Sequence, residues 1–123
     1  MNQAMERNIR QTRFKIEDLQ RRVAVLEATR EDLERQIRKL NDSVPEDEVD
    51  PNAKREGYVS YGSYAQSVIE RKNNLRSSLE DITTQHIDLA EDLRVALDAL
   101  DSFERVRARR LASNAERRMK RIG

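Results

Sequence analysis

Apolar residues recur at alternating spacings of three and four along two stretches of this chain, and that heptad rhythm restricts the fold more than any other feature. From Met5 to Leu40, Ile9, Ile16, Val23 and Ile37 fall at one seam position, and Met5, Leu19, Leu26, Leu33 and Leu40 at the other. Thr12 and Arg30 are the polar members of this seam. The flanks carry Glu17, Asp18, Arg21, Arg22, Glu27, Glu31, Glu34 and Arg35, a mixed-sign surface suited to water and to pairs three or four residues apart. A second stripe runs from Tyr61 through Val68, Leu75, Leu79, Ile82, Leu89, Leu93, Ala96 and Leu100 to Phe103, with Lys72, His86 and Arg107 at polar seam positions. Beside it lies a further apolar line, Ile69, Ile87, Val95, Leu97, Val106 and Leu111, which a two-stranded seam does not require and which is available to a partner.

Between the stripes the rhythm stops. Asn41, Asp42, Ser43, Pro45, Pro51, Gly57 and Gly62 gather both prolines and two of the three glycines into one stretch, the mark of a connector. It is acidic at Glu46, Asp47, Glu48 and Asp50, longer than an ordinary helix-to-helix link, and followed by Ser60 and Ser63 as candidate caps. The expected organisation is one domain over 1–123, with a first helix at 2–41, a connector at 42–60 and a second helix at 61–120.

Two stripes joined by one connector bury each other when the chain folds back, with no second copy needed. The expected fold class is therefore all-α: a long antiparallel two-helix coiled coil, a helical hairpin whose second helix is longer than its first. Composition agrees, because 37% hydrophobic and 4% aromatic residues against 38% charged is a poor supply for a compact globular core. At the rise of an α-helix the two helices span about 60 Å and about 88 Å. Roughly the last eighteen residues of the second are then expected to overhang the start of the first. Arg30 and Lys72 come out in nearby layers of a simple fold-back, where like charges repel. Snorkelling outward, towards Glu34 and Glu70, is the expected relief; they are read either as tolerated defects that fix register or as a locally loose bundle that rearranges on binding.

The net charge is only +1, but it is unevenly distributed. Glu80 to Glu104 contains eight acids and a single base, Arg94, whereas Phe103 to Gly123 carries eight bases against Glu104 and Glu116. Eight bases exceed what the carbonyl end of a helix calls for, so a negatively charged partner surface is expected there. Tyr58, Tyr61 and Tyr64 are all the tyrosines; with Val59 they form an amphipathic cluster that either closes the seam or serves as a contact surface.

Catalytic chemistry is not expected. Cysteine is absent, which removes disulfides, thiol nucleophiles and thiolate ligands. The one histidine, His86, sits on the seam and reads as a register-setting polar layer, and no glycine-rich phosphate loop exists. Adjacent acids such as Glu91 and Asp92 point in different directions and read as a solvated face. No catalytic, cofactor or metal site is therefore assigned. No apolar run of signal-peptide length opens the chain and none approaches the ~20 residues of a membrane span, so a soluble, cytoplasmic protein is expected.

The run Phe14-Lys15-Ile16-Glu17-Asp18-Leu19-Gln20-Arg21-Arg22-Val23-Ala24-Val25-Leu26-Glu27 resembles the first helix of the FliJ family, the coiled-coil component of the bacterial flagellar type III export apparatus. Tyr64 and Ala65, then Arg71-Lys72-Asn73-Asn74-Leu75 and Phe103-Glu104-Arg105-Val106, resemble its later pattern. The likeness spans most of the chain in the order and length of its elements, although the acidic connector is longer than in the shortest members. The resemblance implies a non-enzymatic, central-stalk-like protein, similar to injectisome counterparts, that links the hexameric export ATPase FliI to the cytoplasmic domain of the export gate protein FlhA and promotes secretion. Export chaperones would be further partners, with no small-molecule substrate and no nucleic acid. It places Arg10, Arg13, Arg105, Arg107, Arg109, Arg110, Arg117 and Arg118 against the ATPase ring, and Tyr58, Tyr61 and Tyr64 at the gate. The protein would then sit in the cytoplasm, peripheral to the membrane through its partners. Two other classes compete: a basic coiled coil that neutralises nucleic-acid phosphates, and a structural adaptor. Leucine-zipper proteins, however, place the basic region before the zipper, whereas here it follows.

Overall fold

A computed structural model describes residues 3–43 and 55–122, with side chains described from Gly62 onward in the second stretch. Among the described residues the protein is all-helical, with α1 at Gln3–Ser43 (41 residues) and the longer α2 at Arg55–Ile122 (68 residues). Pro45, Pro51 and the acids from Glu46 to Asp50 lie outside the described residues.

The helix boundaries differ from the expected ones most at the start of α2, which begins at Arg55 and not at 61. Gly57, Ser60, Gly62 and Ser63, read as connector and caps, are therefore helical. A glycine inside a helix costs only about 1 kcal/mol relative to alanine, which the cooperativity of a long helix absorbs. At Gly62 an added Cβ would meet nothing within 4 Å, so no close packing demands the glycine.

The chain divides into two compact units, each built from a section of both helices. The first comprises Met1–Ala24 and Asp88–Gly123. Its core is Ile9, Ile16 and Leu19 from α1 with Leu89 and Ala96 from α2. Met5, Thr12, Val23, Leu93, Leu100, Phe103 and Arg107 are half-buried around them. Thr12 is tolerated on the seam because its hydroxyl donates to the Asn8 carbonyl at 2.7 Å, which keeps its polar atom satisfied within its own helix. Across the helices Arg13 meets Glu104 at 2.9 Å and Arg107 meets Glu6 at 3.3 Å, so partners on α2 fall in number as those on α1 rise.

The second unit is Val25–Ile87. Here Val68 and Lys72 are buried, while Leu26, Arg30, Leu33, Ile37, Leu40, Leu75, Leu79, Ile82 and His86 are half-buried. Half-burial is the natural state of a seam covered from one side by a single neighbouring helix.

Lys72 corrects the expectation of a snorkelling side chain: it is 1% exposed, and its ammonium donates to Asn41 Oδ1 at 3.1 Å. A buried charge held by hydrogen bonds avoids most of the penalty that an unpaired one would incur. Asn41 is eleven residues along α1 from Arg30, or roughly 16 Å at the helical rise, so this register separates the two cations. Arg30 is half-buried and makes no ion pair with Glu34.

Seam burial sets the stability of the first unit, and it discriminates between two large apolar side chains five residues apart. Leu19 is 3% exposed and Phe14 63% exposed. Leu19→Ala is expected to lower the unfolding free energy by about 2–4 kcal/mol, and Phe14→Ala by less than about 0.5 kcal/mol. Urea unfolding followed by circular dichroism measures both.

Candidate partner-binding surface

The candidate ring-contact residues all belong to the first unit, and the structure sorts them into two groups. Arg13, Arg105 and Arg107 are held in ion pairs, to Glu104 at 2.9 Å, Asp101 at 3.0 Å and Glu6 at 3.3 Å. Arg10, Arg109, Arg110, Arg117 and Arg118 are exposed and make no ion pair among the described residues. Arg13 and Arg107 stitch the start of α1 to α2, whereas Arg105 is held one turn away within α2. The second group is left facing solvent, with its charge available to a partner.

Register decides how much of α2 is bare. With Arg107 beside Glu6 and α1 starting at Gln3, α2 has no residue of α1 opposite it beyond about residue 110. The overhang is thus about a dozen residues, shorter than the eighteen expected. The missing length lies at the other end of α2. In the second unit Asn41 stands beside Lys72, so about fifteen residues at the start of α2 have no part of α1 opposite them.

The acidic section preceding the basic one is organised by its only base. Arg94 donates to Glu91 at 2.6 Å and 3.1 Å and to Asp98 at 2.9 Å, one turn away on either side. The hydrogen bonds from Arg94, and then its charge, hold the Glu91 carboxyl below the ordinary carboxylate value, and Glu91 in turn raises Arg94.

Of the candidate gate residues, Tyr64 is 53% exposed. Tyr58 and Tyr61 stand in the first turns of α2, and their side chains lie outside the described residues. The second apolar line is exposed at Ile69, Ile87, Val95, Leu97 and Leu111 and half-buried at Val106. Met119 and Ile122, 75% and 88% exposed, were not marked by the heptad reading. They lie off the seam period, and a helical projection of residues 108–122 taken alone finds them. Among the described residues no helix is long and apolar enough to cross a membrane, and no group of three or more acids and histidines is placed to hold a metal ion.

No family model, curated protein or solved structure matches this chain.

The Arg94 network makes a pH prediction whose sign follows from the depressed Glu91 value. A carboxylate held below its ordinary value contributes stability that is fully present above the ordinary carboxylate range and is lost as pH falls through the lowered value. Following the Glu91 side-chain carbon by NMR through an acid titration should show its midpoint rising in Arg94→Gln. An unchanged midpoint would mean that the pair does not persist in solution.

Proposed function

We propose that the protein is a FliJ-like, non-enzymatic stalk of a type III export apparatus, in which α1 and α2 form an antiparallel coiled coil whose basic end engages the export ATPase ring. One observation carries this reading: the first unit brings the start of α1 and the end of α2 together and leaves Arg10, Arg109, Arg110, Arg117 and Arg118 exposed and without an ion pair among the described residues. Exposed arginines without an ion pair suit an acidic ring, because guanidinium forks bind carboxylates bidentately. Support for the coiled coil comes from the partner order within each unit. Glu6 and Arg13 meet Arg107 and Glu104 in one, and Glu27 and Asn41 meet His86 and Lys72 in the other.

In this reading Arg13 and Arg107 hold the end of the hairpin, Arg105 is held by Asp101 within α2, and the exposed arginines make the contact. Tyr58, Tyr61 and Tyr64, near the start of α2, serve an export-gate protein of the FlhA kind, with export chaperones as additional cytoplasmic partners. The chain turns over no substrate of its own, and its location follows its partners: cytoplasmic, at the membrane export apparatus.

The test is co-purification with a FliI-type export ATPase, and stimulation of ATP turnover, comparing the native chain with R109E/R110E/R117E/R118E. Arg107 is left intact because reversing it would break its pair with Glu6. Binding is expected to weaken by about tenfold or more, since each lost charge-assisted contact is worth about 1.5–3 kcal/mol before screening, with helicity unchanged. Undiminished binding would overturn the assignment. Salt-steep binding of the native chain to DNA in place of the ATPase would favour the nucleic-acid class.

A further inference from the structure

The end of α2 carries an apolar face that does not continue the seam. At 100° per residue, Ala108, Leu111, Ala112, Ala115, Met119 and Ile122 fall within an arc of roughly 100° that contains no polar residue, and its centre is turned roughly 90° from the seam line through Leu93, Leu100 and Arg107. All six are exposed. Because the arc faces away from α1, lengthening α1 would not cover it.

Traced back towards the middle of α2, the same line passes Glu104, Asp101, Leu97, Arg94 and Ala90, flanked by Glu91 and Asp98. One continuous surface of the first unit is therefore acidic in its first half and basic in its second, with exposed apolar side chains in both. Such a surface is complementary to itself when reversed. A second α2 laid antiparallel along it, about a two-fold axis near Arg105, sets Lys120 opposite Glu91, Arg109 opposite Asp101, and Ala115 and Ile122 beside Leu97 and Ala90. The two exceptions to the charge segregation, Arg94 and Glu116, also fall opposite each other. Reversed pairing brings like flanks together, so Glu91 and Asp98 meet the flank that carries Arg109 and Lys120.

We propose that this face, from Ala90 to Ile122, is a docking surface for a second copy of the chain, forming a two-fold antiparallel dimer through α2. Isologous pairing of one patch with itself is the commonest way for a protein to form a closed oligomer. Charge complementarity selects this occupant over other arrangements of two copies: basic ends meeting side by side through the arc would bring the flanking Arg109, Arg118 and Lys120 of both chains together. Three alanines in the arc, Ala108 and Ala115 near its centre and Ala112 at its edge, allow close helix approach but bury little area, so the dimer is weak and salt-sensitive. It would hem in Arg109 and Arg118, which flank the arc, and leave Arg110 and Arg117 open on the opposite side of α2, so self-association and ring binding would compete for part of the basic end; the dimer itself does not depend on that assignment.

Sedimentation equilibrium of the purified chain alone tests it. The native chain is expected to dimerise at about 20 mM salt and to dissociate at about 500 mM, where the Debye length falls from roughly 20 Å to roughly 4 Å. Two charge-reversed variants provide the specific check: R109E/K120E makes the basic half acidic, and E91K/D98K makes the acidic half basic. Each alone is expected to be monomeric at low salt, and an equimolar mixture of the two should associate again, because each supplies the charge that the other's surface has lost. With no native cysteine in the chain, Arg105→Cys should form a disulfide-linked dimer under mild oxidation, whereas Ser78→Cys should not. A native chain that stays monomeric at low salt, a dimer indifferent to the reversals, or a mixture that fails to reassociate would each overturn the proposal. Because no ATPase is present, these outcomes are independent of the proposed function.

Discussion

Mutual coverage of the two heptad seams is the constraint on which the rest of the structure depends. A chain with 38% charged residues has little apolar surface to bury, and it places that surface in two narrow lines. In the first unit Ile9, Ile16 and Leu19 from α1 and Leu89 and Ala96 from α2 are buried, and at about 25 cal/mol per Å2 large apolar side chains such as these isoleucines and leucines are worth about 1.5–3 kcal/mol each. Everything polar is arranged around that requirement. Thr12 hides its hydroxyl against its own helix, and Arg107 reaches out of the seam to Glu6.

Polar seam residues set the register in a way that apolar ones cannot. A leucine ladder shifted by a heptad buries nearly the same area, but Lys72 needs an acceptor at the right height and finds Asn41. His86 stands 3.4 Å from Glu27 in the same unit. Arg107 with Glu6 and Arg13 with Glu104 do the same for the first unit. Exposed pairs of this kind add little stability individually, so their effect is on alignment more than on free energy. Alignment, in turn, fixes which arginines are used in the fold and which remain available.

This division explains why the basic end is not a uniform patch. Of the arginines that a reading of charge alone groups together, Arg13, Arg105 and Arg107 are committed to ion pairs, and Arg10, Arg109, Arg110, Arg117 and Arg118 make none among the described residues. The apolar arc of residues 108–122 adds a second property to the same segment. A segment both cationic and amphipathic, turned away from the neighbouring helix, is built for contact with something other than α1.

The sequence by itself determined the helical class and the two apolar stripes, because the spacing of Ile9, Ile16 and Leu19 and of Leu89 and Ala96 fits a helical repeat and not the period of a strand, and the greater length of the second helix, because no glycine or proline falls between Gly62 and Gly123. It also showed the split of acids and bases along α2, since charge order is written directly in the residues. Helix ends were less legible. Gly57 and Gly62 look like breaks, yet a long cooperative helix carries through them. The partner of Lys72, the length of the bare end of α2 and the sorting of paired from unpaired arginines were decided only in the tertiary structure. Each depends on which residue of α1 lies level with which residue of α2, and a heptad repeat leaves that open because every shift by seven preserves the pattern.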